Sequence, residues 1–349
     1  MDRVSSARLR VVQCGTGNIG RRTLREVIRH PELELAGVQV YDAAKEGVDA
    51  GELCGEEPVG VVATRDGTAI CALAADCALY MPSALDLDHV VALLESGTNV
   101  VTTRGELFAG GSRLGDERPR VVDACERGGS SIYATGSSPG FITDALPFAL
   151  LSLQRRVELV EIEEFANLSR RDSPALLFEL MGFGRPLESF DARRSSYLLG
   201  EFGPPLGMLM EAAGTPVEEW QSAGAVAAAR HATSIVAGDI DAGSVAAQRT
   251  TITGSRGGAD VVRFTANWYC TTDLEPAWNL LPTGWRVRVR GDAPLDVQLE
   301  FPIALEDLGS FTPAYTANRP VNAIPFVCAA SPGILATADL PPIVPAGPR

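Results

Sequence analysis

A chain of 349 residues exceeds what one small core needs and is expected to form two domains. Its balance of 46% hydrophobic and 21% charged residues is that of a folded protein, and a formal net charge of −14 argues against nucleic acid or an anionic membrane as its main partner. No apolar run approaches the roughly 20 residues of a membrane helix, and the opening MDRVSSARLRVVQCG shows neither the apolar stretch nor the cleavage site of a signal peptide, so a cytoplasmic protein is expected.

The first part alternates strand and helix patterns. LRVVQC (9–14) reads as a strand, RRTLREVIRH (21–30) as an amphipathic helix stopped by Pro31, and LELAGVQVY (33–41) as a second strand. Further strands are predicted over 60–64, 77–82, 99–103 and 130–136, with helices over 86–97 and roughly 116–128. This alternation predicts a parallel sheet with helices on both faces. The middle of the chain differs. Residues 156–168 read as a long alternating strand, 173–184 as a short apolar helix, and 185–230 as irregular and helical. Strands then follow around TSIVAG, AAQRTTITGS and DVVRFTANWYC, with a hairpin turn at 255–259 and a second hairpin around Gly291-Asp292. That pattern predicts an antiparallel or mixed sheet. VNAIPFVCAASPGIL (321–335) is expected to return to the first domain as a helix, and PPIVPAGPR to be a loop.

The seven cysteines form no C-x-x-C pair and the three histidines no metal-ligand spacing, so disulfides and a metal site are not expected. Lys45 is the one lysine, which removes mechanisms built on a lysine elsewhere.

Gly15-Thr16-Gly17-Asn18-Ile19-Gly20 is a G-x-G-x-x-G between a strand and an amphipathic helix. In that setting the first glycine permits the tight turn, the second lets a pyrophosphate approach the backbone, and the third lets helix and strand pack closely. The fold class expected is therefore α/β, a Rossmann doubly wound sheet followed by an α+β domain on a mixed or antiparallel sheet. The expected division is 1–145 for dinucleotide binding, 146–315 for substrate and dimerisation, and 316–349 returning to the first domain. Asp42 lies 22 residues after Gly20, the spacing of a ribose-binding acid, which favours NAD. Arg21, Arg22 and Lys45 stand close enough in sequence to neutralise a 2′-phosphate, so NADP and NAD both stay open. The expected cofactor set adds Tyr41, Met81, Pro82, Ser83, Thr102 and Asn322 to the glycine loop, Asp42 and Lys45.

The fifth predicted strand ends in Thr102-Thr103-Arg104-Gly105-Glu106, at the edge where cofactors bind in open α/β sheets. Glu106 there would attract the positive charge of an iminium, or accept a proton from ammonium if burial raised its pKa toward neutrality. Arg104 would instead lower that pKa if its guanidinium faced inward. Phe141, Ile142, Phe165 and Phe178 are the candidate lining of a substrate pocket, although a stripe like that of Phe165 and Phe178 is more often plain core.

Several segments together carry a family resemblance: GTGNIG, YDAAKEGVDAGELCG, NVVTTRGELF, GSSPGFITDALP, MGFG, DLEPAWNL and VNAIPFVCAASPGI. In this order the chain resembles the 2,4-diaminopentanoate dehydrogenase and native amine dehydrogenase group of the dihydrodipicolinate reductase-like superfamily. The resemblance implies reversible reductive amination of a ketone or aldehyde with ammonia, using NADH or NADPH. It implies that the glutamate at Glu106 is the catalytic residue, and that the protein is a homodimer through its C-terminal sheet. The histidine- and lysine-rich signature of true dihydrodipicolinate reductases is absent, which points to a substrate without a carboxylate, such as a small ketone, aldehyde or amine. An ammonia-independent reductase and a non-catalytic dinucleotide-binding protein are the alternative readings.

Overall fold

The structure, a computed structural model, describes residues 8–187 and 192–345, so the end of the Pro-rich tail lies outside the described residues. Along the chain β1 (Leu9–Cys14), α1 (Asn18–Arg29) and β2 (Leu33–Gln39) come first. Two short helices, α2 (Ala50–Cys54) and α3 (Gly67–Cys71), precede β3 (Cys77–Tyr80), α4 (Leu87–Glu95) and β4 (Asn99–Thr102). A kinked turn, α5 (Phe108–Gly111), and α6 (Arg118–Gly128) lead to β5 (Ser131–Ala134). Next are α7 (Leu146–Leu151), β6 (Val157–Asn167), α8 (Ala192–Ala212), β7 (Glu219–Ala229), β8 (Thr233–Ile235) and β9 (Gly238–Ile240). The chain continues through β10 (Val245–Arg256), β11 (Ala259–Tyr269), β12 (Leu274–Glu275), β13 (Gly284–Gly291) and β14 (Leu295–Glu300). It closes with α9 (Leu308–Cys328) and β15 (Gly333–Leu335).

The described residues form two compact units, one drawn from the chain up to Phe141 and from Pro313 onward, the other from Ile142 to Thr312. The first holds a six-stranded parallel sheet of order β15-β5-β4-β3-β1-β2. All four residues of β3 and of β5 are buried, as a strand covered on both faces requires. The strand expected over 60–64 is not one. Val62 and Thr64 make only isolated bridges, to Asp49 and Gln39, and Val62 is 60% exposed. The sixth place belongs to β15, which pairs with β5 from Gly333↔Ser131 to Leu335↔Tyr133. The helix expected over 321–335 accordingly stops at Cys328, and the chain re-enters the sheet. Asp86 caps α4 by accepting from the backbone of His89, the Asp-first helix start that the sequence shows.

The second unit is built on a seven-stranded mixed sheet, β12-β7-β10-β11-β6-β13-β14, in which β11 and β6 run parallel. Two expectations need correcting here. Within 185–230, residues 219–229 are strand β7, paired antiparallel with β10, because cross-strand pairing overrides the helical preference of its alanines. The apolar helix of 173–184 is a π-helical turn over Ala175–Leu180. Helix α8 covers one face of the sheet, where Phe202 stacks on Phe264 at 4.2 Å. The opposite face carries cross-strand ion pairs, Arg263–Glu161 at 2.9 Å and Arg288–Glu163 at 3.0 Å. Among the described residues no helix is long and apolar enough to cross a membrane.

Candidate active site

The strand order reverses beside β1, with β2 on one side and β3 on the other, and the glycine loop opens at that switch point. Gly15 has φ +88°, and a Cβ there would stand 3.0 Å from the backbone of Met81. A Cβ on Gly20 would lie 2.1 Å from the Gly15 carbonyl oxygen, so α1 can approach its own loop only with glycine at this position. A Cβ on Gly17 would meet nothing within 4 Å, and no side chain caps α1. The N-terminus of α1 therefore faces open space with backbone N–H groups aimed outward, which fits a pyrophosphate. Buried Gln13 braces the loop: its amide donates to the Gly15 carbonyl at 2.9 Å, and its carbonyl accepts from the Thr23 hydroxyl at 2.8 Å.

The residues after β2 lie beside the loop. Lys45 Nζ donates to the Thr16 carbonyl at 3.0 Å and approaches its hydroxyl at 3.3 Å. Asp42 accepts from the Ala44 backbone at 3.0 Å, and Tyr41 is 46% exposed. A cleft of about 520 Å³ opens here, lined in part by Gln39, Tyr41, Arg65, Gly67, Asp86 and His89. His89 Nε2 is buried with no hydrogen-bond partner, and burial lowers the imidazole pKa, which keeps the ring neutral at pH 7. Of these six, only Tyr41 was legible in the sequence. Gln39 comes from the end of β2 and the others from the α3 and α4 N-termini, and no spacing rule points to them.

Along the same edge the loops after β3 and β4 meet. The Thr103 hydroxyl contacts Met81 Sδ at 3.5 Å. Thr102 is fully buried, its hydroxyl donating to the Tyr80 carbonyl at 2.6 Å and accepting from the Arg104 backbone at 3.1 Å, so it shapes the strand end instead of facing the cleft. Arg104 grips Glu106 fork on fork, Nη2 to Oε1 at 2.5 Å and Nε to Oε2 at 3.2 Å, while its Nη1 donates to the Ser83 carbonyl at 2.6 Å. The Glu106 side chain keeps 31% of its exposure. Burial pushes its pKa up, but the Arg104 hydrogen bonds, a backbone N–H and the charges of Arg104 and Arg113 outweigh burial, and the net pKa lies below the ordinary glutamate range. The raised pKa considered from sequence is thereby corrected, and Glu106 is an anion at neutral pH.

After β5, Arg319 of α9 donates from Nε to the Thr135 hydroxyl at 2.8 Å and lies over the Phe141 ring at 5.9 Å. A guanidinium at this edge is a feature that sequence reasoning missed, because it arrives from the far end of the chain. Asn322 lines a separate cleft of about 280 Å³ with Glu26, Arg29, His30 and Asn318, beside the C-terminal half of α1. In the second unit Ile142 is fully buried, Phe165 is 4% exposed, and Phe178 packs against Gly184 and Gly238 in the same apolar cluster as Phe165. Among the described residues no group of His, Cys, Asp or Glu is placed to hold a metal ion.

No family model matches the chain. It is 28% identical over 341 residues to an amine dehydrogenase of Streptomyces virginiae, covering 94% of both chains. Its fold matches the structure of an amine dehydrogenase from Mycobacterium smegmatis with a TM-score of 0.76 and 18% identity, over 96% of this chain and 97% of the other. A probable dehydrogenase from Thermotoga maritima matches with a TM-score of 0.57 and 14% identity, over 95% and 92% of the two chains. In sequence over nearly its whole length, and in the fold of both units, the chain is similar to amine dehydrogenases.

Proposed function

We propose that the chain is an NAD(P)-dependent amine dehydrogenase. It joins a small ketone or aldehyde to ammonia and reduces the product to an amine, and it runs in reverse on the amine. The observation that carries this reading is the placement of an anionic carboxylate, Glu106, two strands along the same sheet edge from an uncapped, glycine-lined helix N-terminus. Strands about 4.8 Å apart put that step at about 10 Å, within the span of a dinucleotide. The likeness to the amine dehydrogenases named above supports it.

In this reading the first-turn N–H groups of α1 hold the pyrophosphate, and the cleft beyond β2 takes the adenosine, with Tyr41, Asp42 and Lys45 around its ribose. When bound, the nicotinamide supplies or accepts the hydride. Ammonium gives up a proton to water, the resulting ammonia attacks the carbonyl carbon to form the C–N bond, and the oxygen takes up a proton and leaves as water, so that ketone and ammonium together give a cationic iminium and water. Glu106, fixed and negative, stabilises the iminium cation as it forms more than the neutral ketone, which is the differential stabilisation that catalysis needs. Because the histidine- and lysine-rich carboxylate signature is missing, the substrate we propose is a small aliphatic or cyclic carbonyl compound. The protein acts as a homodimer through the sheet of its second unit.

A panel of small ketones and aldehydes, each with NADH and NADPH and with and without ammonium, tests this. Ammonium-dependent oxidation of one nucleotide is expected. Turnover that ignores ammonium would replace the proposal with a simple carbonyl or alkene reductase.

A further inference from the structure

We infer that Arg104 is a positioning residue that clamps Glu106 as a fixed anion, so that Glu106 serves as counterion to the iminium and not as the carrier of its protons. The inference rests on the amine dehydrogenase reading and adds a division of labour to it. Both carboxylate oxygens are taken by one guanidinium, at 2.5 and 3.2 Å, in the planar two-point geometry that only arginine offers. The third nitrogen of the same group is held by the Ser83 carbonyl at 2.6 Å, so the clamp is anchored on the loop after β3 and cannot swing away without breaking that bond. A carboxylate that shuttles protons needs a pKa near the working pH, whereas the Arg104 fork engages both Glu106 oxygens and holds the pKa below the ordinary glutamate range. A counterion needs fixed position and permanent charge, and the clamp supplies both.

The surroundings reinforce this. The segments that pack most closely against 105–107 include α5, the 112–117 turn and β5. The first carries no titratable group. The turn contributes Arg113, whose positive charge also acts on Glu106, exposed Asp116, and Glu117, which is paired with Arg120 at 3.4 Å. In β5, Tyr133 is occupied by the Thr337 hydroxyl at 2.8 Å. In this reading the protons of the reaction come and go through ammonium and water.

The test titrates Glu106 directly. Protein carrying 13C-labelled glutamate is followed by NMR without nucleotide, with the Glu106 signal identified by its absence in Glu106→Gln. In Arg104→Gln the midpoint of that signal is expected to move to higher pH, and in Arg104→Lys, which keeps the charge but loses the fork, to move less. The acidic limb of kcat/KM for amination should shift in the same direction, with kcat falling on the order of 100-fold as the anion loses its place. An unchanged Glu106 midpoint in Arg104→Gln overturns the clamp whatever the activity shows; should that variant not fold, an unchanged midpoint in Arg104→Lys does the same. A wild-type protein with no ammonium-dependent turnover would overturn the functional reading instead, and the midpoint would still decide the clamp.

Discussion

At the scale of single residues, two glycines of one loop have different duties, and they can be separated. Gly20 exists for packing, because a methyl there would collide with the Gly15 carbonyl at 2.1 Å. Gly20→Ala should cost about 2 to 3 kcal/mol of stability, read by thermal or denaturant unfolding. Gly17 faces empty space. Gly17→Ala should leave stability within about 1 kcal/mol of the parent while weakening NADH or NADPH binding in a fluorescence titration. Loss of stability in Gly17→Ala, with binding intact, would contradict the assignment of that space to the pyrophosphate. Glu106 makes a prediction with a definite sign. Its pKa is depressed in the folded chain, so the stability that the Arg104 pair contributes is present at neutral pH and fades only as acid takes the pH below the ordinary glutamate value of 4.5. The difference in unfolding free energy between the parent and Glu106→Gln should therefore be flat from pH 6 to 8 and shrink toward acid.

At the scale of elements, the sequence spoke clearly where a segment is long, periodic or punctuated. LRVVQC, the glycine loop and α1 follow from alternation, spacing and Pro31. So do the two hairpins, whose turns rest on Gly257, Gly258 and Gly291-Asp292. It misled where a short element depends on a distant partner. GVVAT has the composition of a strand, yet it gains only isolated bridges. GIL, three residues long, is a strand because β5 leaves an edge for it. The Ala-rich β7 is a strand because β10 pairs with it along its length. The site divides in the same way. Glu106 and the glycines stand in motifs, whereas Arg319 and His89 reach the edge through tertiary packing and carry no local signal. The role of β15 is testable: Leu335 is 8% exposed within the apolar cluster that also holds Val101 and Tyr133. Leu335→Ala should lower unfolding free energy by at least about 2 kcal/mol, and an effect within experimental error would show that this strand does not complete the sheet.

At the scale of the whole molecule, the first unit carries the glycine-loop edge and Glu106, and the second a broad mixed sheet. If the first unit binds a nicotinamide nucleotide only when folded, saturating nucleotide must raise the unfolding temperature. At a hundredfold excess over Kd the gain is about 2.7 kcal/mol, and the nucleotide that produces it, NAD(H) or NADP(H), identifies the cofactor. Absence of any shift with either would remove the dinucleotide from the account. The central claim, that one carboxylate at the end of β4 governs the chemistry, is tested most directly by Glu106→Ala. Nucleotide binding and ammonium-dependent turnover are measured side by side in parent and variant. The variant is expected to bind NAD(P)H as the parent does and to lose amination by about 100-fold or more. A variant that binds nucleotide and still aminates at the parental rate would contradict it.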